Sequence, residues 1–397
     1  MTFETLKRSH LKRNILIAVA IVFILSAIIL TFTRAKYKVT DSMPLLNGTI
    51  NYTLADLNVV AMYVDGEQVD KLPDGKYTLT SESYCTNEDD EKDESITLSY
   101  DSDTNGLSVS PMTKKGTKCY LYFEEGASAG DTILASPNPP TGETTDWTGE
   151  TTYYYTGNPN NWVQFGGFWW RIIRINGDGS IRMIYQGTSA NTTGSGTQIG
   201  TSAFNSSYNN KTYVGLVYNI SSQHGYGTNS TIMNTLNTWY NNNLASYEED
   251  YIDTGAGFCS DRNTASGDNY TDSSFYYAAY DRRNGGASLQ CNTEDILSQD
   301  NGKLPNPIGL VTSDEAVLTG ITWSSANTGS YLYTEQDYWT MSPYRYNGRA
   351  SVFGVYSAGG LDAPYVNNAR GVRPVINLKS AIAITGSGTT GDPFKVG

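Results

Sequence analysis

Histidine is close to absent from this chain. Of 397 residues two are histidine, His10 and His224. Zinc sites draw on histidine and cysteine, so a zinc centre has little to build on. A Ser-His-Asp arrangement has one candidate base, His224, in a Ser/Gly-rich stretch. Cysteine is scarce as well: Cys85, Cys119, Cys259 and Cys291, with no CxxC among them and none after Cys291. Charged residues make up only 17%, and basic ones are outnumbered 27 to 40, for a net charge of −13. Nucleic-acid binders carry basic surfaces, so DNA and RNA are excluded as partners. Asp101 to Gly106 spells the first half of an EF-hand loop, but Met112 stands where the closing Glu belongs. A hairpin turn is expected there. Gly386 to Gly391 spells GxGxxG without a helix to follow, so it reads as a turn and not as a dinucleotide fingerprint. No catalytic residue, metal ligand or cofactor is expected. Paired carboxylates for glycoside hydrolysis stay open, because acidic residues are plentiful and their separation is invisible in sequence.

What the chain does hold is glycine (39), tyrosine (30) and much Asn, Ser and Thr. That is the composition of a β- and loop-rich extracellular protein, not of a disordered one. Ile15 to Phe32 is uncharged and long enough to span a bilayer. It reads as an uncleaved anchor, with a cleaved signal peptide as the alternative. The expected order is a cytoplasmic tail (1–14), a transmembrane anchor (15–32) and a juxtamembrane linker (33–52). A small Ig-like β-sandwich (53–125) follows, then a Gly/Pro/Thr-rich linker (126–150) and a large C-terminal domain (151–397). Four cysteines allow three pairings. Pairing within domains, Cys85 with Cys119 and Cys259 with Cys291, closes loops of about 35 residues, each worth ~3 kcal/mol on the chain-entropy model.

In the large domain, WVQFGGFWWRIIRI, the turn Asn176-Gly177-Asp178-Gly179 and SIRMIYQG read as a β-meander. Trp162, Trp169 and Trp170 are expected in the core rather than on a sugar. Residues 187–229 read as a long decorated loop. Ser230 caps a helix whose apolar stripe is Ile232, Met233, Leu236, Trp239, Tyr240 and Leu244. A second helix starts at Thr312, with Glu315 completing a capping box, and stops at Gly320.

The most informative stretch is Tyr338 to Lys379. An apolar frame (Trp339, Met341, Val352, Phe353, Val355, Leu361, Val366, Val372, Val375, Ile376, Leu378) alternates with Tyr, Arg, Asn, Asp and Gly. Period-two alternation places Phe353 and Val355 on one face and Gly354 and Tyr356 on the other. The words WTMSP, AxVFxVxSxGxL and VNNxxGVRPVINLK, with GFCSDR at 257–262, LPNPIGLVTSDEA at 304–316 and ITGSGTTGDPF at 384–394, resemble bacterial C-type-lectin-like domains of the formylglycine-generating-enzyme type. Surface ligand-binding proteins use this variant, among them variable proteins diversified by retroelements. The resemblance implies an α+β fold with a C-type-lectin-like C-terminal domain. It also implies a ligand face on residues 344–370, with Tyr344, Arg345, Tyr346, Asn347, Arg349, Tyr356, Asp362 and Tyr365 as contacts. Tyrosine and arginine give contact area and hydrogen bonds at modest entropic cost. Formylglycine-generating activity works through cysteine near the C-terminal half, and none lies there. The Glu-Pro-Asn and Gln-Pro-Asp tripeptides of calcium-dependent lectins are missing too. The expected protein is therefore a single-pass cell-surface binder of an extracellular protein or glycan. A glycan-active enzyme and a structural envelope component are the alternatives.

Overall fold

The computed structural model describes residues 58–72, 77–101, 106–111 and 117–396. The chain divides into two compact units, Met1–Gly126 and Ala127–Gly397. In the first, Asn58–Val64 pairs parallel with Lys118–Glu125 and antiparallel with Glu67–Val69. Tyr77–Leu79 and Tyr84–Thr86 pair with the two ends of Lys118–Glu125 along its other side. Thr97–Asp101 and Gly106–Ser110 form the hairpin expected around the EF-hand-like word. Leu121, Phe123, Met62 and Tyr77 close a small core.

The Ig-like sandwich is not what forms. Cys85 and Cys119 face each other on adjacent strands of one sheet, Cα atoms 4.0 Å apart, so the bridge staples neighbours and does not join two sheets. The Cys259–Cys291 bridge also forms, with Cα atoms 5.9 Å apart. Both pairings are within a unit, and disulfides persist in oxidising compartments. Peptide mapping without reduction is expected to recover 85–119 and 259–291 as linked pairs. A cross-unit pair or free thiols would contradict this arrangement.

The second unit is built on two sheets. One runs in the order Val375–Leu378, Ile181–Gly187, Phe168–Ile175, Trp162–Phe165, Phe394–Val396, Ile384–Thr385, and the hairpin Gly142–Thr145/Thr151–Tyr154 joins Phe168–Ile175. The other runs Thr201–Ala203, Ala369–Gly371, Tyr338–Tyr346, Ala350–Val355, Leu361–Asp362, with Phe275–Tyr276 on the far end of Tyr338–Tyr346. Ile172, Met183, Trp339, Val352, Phe353 and Ile376 are buried in one core. Trp170 is fully buried and Trp162 nearly so, as core residues, whereas Trp169 is only half-buried, its ring edge-on to Trp162 at 5.9 Å.

Helices are few. The described structure is 35% strand and 14% helix, and among the described residues only Thr231–Asn243 exceeds six residues. It starts at Ser230, whose hydroxyl accepts the Met233 N–H, and buries Ile232, Met233, Leu236 and Tyr240. Ser313–Leu318 starts at Thr312 with the full Thr312/Glu315 capping box. These two helices are too small a share of the unit to make the expected α+β, C-type-lectin-like fold. The architecture is predominantly β, because most of the buried apolar residues sit on strands and in the loops between them.

Three further expectations are corrected. Residues 126–150 are not a free linker. Ser128 and Asp131 form a capping box on Ala129–Leu134, Ala129 and Ile133 are buried, and Gly142–Thr145 is a strand. Residues 187–229 are not one decorated loop, since Thr201–Ala203 pairs with Ala369–Gly371 and so edges the second sheet. The anchor at 15–32, and the single-pass membrane location with it, finds no support. Among the described residues no helix is long and apolar enough to cross a membrane, and 15–32 lies outside them. An apolar run of spanning length is a necessary condition for a helical span, not a sufficient one.

Candidate functional site

The hairpin of Tyr338–Tyr346 and Ala350–Val355 organises the site. Its first strand is buried from Tyr338 through Pro343 and emerges at Tyr344, Arg345 and Tyr346. The pairing shifts register on both sides of Pro343. Proline offers no N–H to a ladder and is tolerated at such irregularities. Gly348, at φ +81°, turns the hairpin tip. Ala350–Val355 is buried along its whole length, so the period-two reading of one wet face fails. Gly354 faces the Arg370–Asp362 pair: a Cβ there would lie 3.0 Å from Arg370 Nη1 and 3.2 Å from Asp362 Oδ1. Tyr356 falls just past the strand and is half-buried.

The eight expected contact residues do not form one surface. They fall into three groups. Tyr344 and Arg345 belong to an aromatic cluster. The Tyr344 ring stacks on Trp323 at 5.1 Å and 13° and meets Tyr276 at 5.4 Å and Tyr280 at 5.9 Å, all above buried Phe353 at 4.9 Å. Tyr276 and Tyr280 stack on each other at 3.9 Å. Burial, with the neighbouring tyrosines Tyr276 and Tyr280 adding to it, pushes the Tyr344 hydroxyl up to about 12, so it stays a proton donor. The Arg345 guanidinium lies 4.8 Å from the Tyr276 ring and donates to Ser274 Oγ at 3.1 Å. Arg283 lies 3.5 Å from the Tyr280 ring. Trp323 is placed by its N–H bond to the Arg283 carbonyl and by a bridge to Leu361.

Tyr346, Asn347, Arg349 and Tyr365 lie at or beside the hairpin tip. Tyr346 donates to the Asn209 carbonyl at 3.2 Å, and the Asn347 N–H donates to the Arg349 carbonyl in the exposed turn. Arg349 is sandwiched 5.2 Å from both the Tyr208 and Tyr365 rings, two of the most exposed aromatic side chains of the described residues.

Tyr356 and Asp362 line a third place, an open depression of about 390 Å³ with Ser324, Asp337 and Ser357. Arg370 grips both Asp362 oxygens and lies 3.7 Å from Asp337, whose other oxygen accepts the Ser357 N–H at 2.7 Å. Burial raises the Asp362 carboxyl above its ordinary range even though Arg370 pulls it down.

Sequence reasoning missed Tyr208, Tyr276, Tyr280, Arg283, Trp323, Asp337 and Arg370. The run SFYYAAYDRR at 274–283 is the one signal that could have pointed to this cluster. His224, the lone candidate base, hydrogen-bonds through Nδ1 to buried Asp295, which is also held by Arg262. Among the described residues no group of His, Cys, Asp and Glu is arranged to hold a metal.

No curated protein and no solved structure matches this chain. A family model described as a domain of unknown function (DUF6273) matches residues 201–380. Over that span, which holds all three groups of the candidate site, the chain is similar to that family.

Proposed function

We propose that the second unit is a ligand-binding head working in an oxidising, extracytosolic compartment. Its binding face is the aromatic cluster of Tyr276, Tyr280, Trp323 and Tyr344 with Arg283 and Arg345. The observation that carries this reading is four half-buried rings gathered from three separate segments, flanked by guanidinium groups and seated on a rigid sheet. Rigid aromatic anchors with arginine are what dominate binding interfaces. The resemblance of 338–379 to variable ligand-binding proteins supports the same reading for Tyr344 and Arg345, which belong to this face, but not for Tyr356 and Asp362, which line a separate depression. The hairpin tip, with Arg349 between Tyr208 and Tyr365, extends it.

A hydrolytic reading would rest on Asp337 and Asp362. Both are already engaged, by Arg370 and by the Ser357 N–H, and they line an open depression and not a cleft. Binding is favoured on that ground.

The test is capture. The full chain, fluorescently labelled, is screened by flow cytometry against bacterial and animal cell surfaces. Tyr280→Ala and Arg345→Ala are expected to lower the bound signal at least tenfold while leaving the unfolding midpoint of the second unit within about 1 kcal/mol of wild type. Undiminished capture by both variants would place the site elsewhere.

A further inference from the structure

The arginines of the described residues sort cleanly. Arg174, Arg182, Arg262, Arg282 and Arg370 each pair with a carboxylate. Arg171 and Arg373 are buried on carbonyl and side-chain amide oxygens. The remaining arginines are Arg283, Arg345 and Arg349, and they contact rings, one hydroxyl and one carbonyl but no carboxylate. All three lie on the aromatic face or at its hairpin tip. This happens in a chain of net charge −13, where an acidic neighbour is the ordinary fate of a surface arginine. Two carboxylates of the adjoining segment are engaged by backbone: Asp268 accepts the Tyr276 N–H at 2.6 Å and Asp281 the Ser266 N–H at 2.8 Å. Arg283 Nε and Arg345 Nε are buried without an acceptor, so the Nη groups are the ones able to meet a ligand.

We infer that the ligand of this face is an acidic polypeptide segment whose carboxylates pair with Arg283, Arg345 and Arg349 and whose apolar or aromatic side chains lie on the rings between them. This rests on the proposed binding face and adds the chemistry of its occupant. Guanidinium groups stacked on rings are held in place, and the Nη groups of Arg283 and Arg345 not used on Tyr280 and Ser274 remain for charge-assisted bonds to a carboxylate. Arg283 and Arg345 sit on opposite members of the stacked Tyr276–Tyr280 pair, and Arg349 stands apart at the tip. That spread suits a chain crossing the face better than a single small anion. The overall negative charge does not forbid it, because at physiological salt charges beyond about 8 Å are largely screened and the local arginines dominate.

The test uses the full, oxidised chain and immobilised poly(Glu,Tyr) copolymer, with poly-L-lysine and heparin as comparison surfaces. Binding to poly(Glu,Tyr) is expected, weakening at least tenfold between 50 and 500 mM salt, with none to poly-L-lysine. The combined variant Arg283→Gln, Arg345→Gln, Arg349→Gln is expected to lose at least tenfold in affinity. Arg349→Gln alone, in an exposed turn that holds no core residue, is expected to lose at least twofold with an unchanged unfolding midpoint. No binding to poly(Glu,Tyr), equal binding by the combined variant, or preference for heparin overturns the inference. The two ideas fail separately. If cell-surface capture falls in Tyr280→Ala but persists in the combined arginine variant, the face stands and its occupant is not acidic. If capture persists in both, the face itself is wrong.

Discussion

Glu315→Gln is expected to destabilise the second unit by about 3–5 kcal/mol, the usual cost of removing one partner from a buried ion pair. The Glu315 side chain is 1% exposed and sits between two equally buried arginines, Arg174 and Arg182. Arg174 Nε donates to Oε1 at 3.1 Å, and the Thr312 N–H donates to Oε2 at 2.8 Å. Asp146 is the other carboxylate at hand, 3.8 Å from Arg174 Nη1. Glutamine keeps the shape and part of the helix cap but leaves Arg182 without its carboxylate and Arg174 with Asp146 alone. Burial alone would raise the Glu315 carboxyl, and Arg182, Arg174 and the Thr312 N–H together outweigh it, holding it below the ordinary carboxylate range. A carboxylate depressed in the fold contributes stability above its unfolded pKa and loses it as pH falls through the folded one. The gap between wild type and Glu315→Gln is therefore expected to be full at neutral pH and to narrow on acidification below pH ~4. Tryptophan fluorescence in urea reads this directly, since every tryptophan of the chain lies in the second unit. Stability curves that run parallel from pH 7 to pH 3 would show that the charge on Glu315 contributes nothing.

This buried network was only half legible in the sequence. Thr312 and Glu315 three residues apart announce a capping box, and the structure has one. That the same carboxylate also neutralises arginines more than a hundred residues earlier is a fact of sheet packing, invisible to local spacing. The same division runs through the fold. The Ser230 helix, the meander of Phe168–Ile175 and Ile181–Gly187 and the turn at Asn176–Gly179 follow from periodicity and turn chemistry. The parallel pairing of Asn58–Val64 with Lys118–Glu125 does not, because a strand's pattern specifies a buried face and not which distant strand lies beside it. Glycine, proline and threonine made residues 126–150 read as a linker, and a capping box with two buried apolar residues was enough to overrule them. At the site, the apolar frame of 338–378 could be read from the sequence, but not the hairpin or the burial of both faces of Ala350–Val355, and the rings that complete the site come from Tyr276, Tyr280 and Trp323 in separate segments. The spacing of Tyr344 says nothing about them.

Trp339→Ala is expected to cost about 3–5 kcal/mol, and Tyr356→Ala about 1 kcal/mol or less, although both flank the candidate site. Trp339 is completely buried and pairs with Gly354 in the hairpin ladder. Its ring meets Phe204 edge-on at 5.6 Å, and its indole N–H donates to the Ser202 carbonyl at 2.9 Å. Alanine would leave a cavity among rigid strands and strip that carbonyl of its side-chain donor. Ser202 belongs to Thr201–Ala203, which pairs with Ala369–Gly371. The damage therefore reaches the edge of the sheet that presents Arg370 to Asp362 and Asp337. Tyr356, by contrast, is half-buried past the end of its strand, and its ring covers Gly360, where a Cβ would come within 2.4 Å of it. Removing the ring uncovers a turn and opens no core. Trp339→Phe, which keeps the ring contact and loses the hydrogen bond, should fall between the two. Urea unfolding followed by far-ultraviolet circular dichroism avoids the loss of a fluorophore in the Trp339 variants. Equal midpoint shifts for Trp339→Ala and Tyr356→Ala would mean that the hairpin is not anchored through Trp339, and the rigid platform assumed for the binding face would go with it.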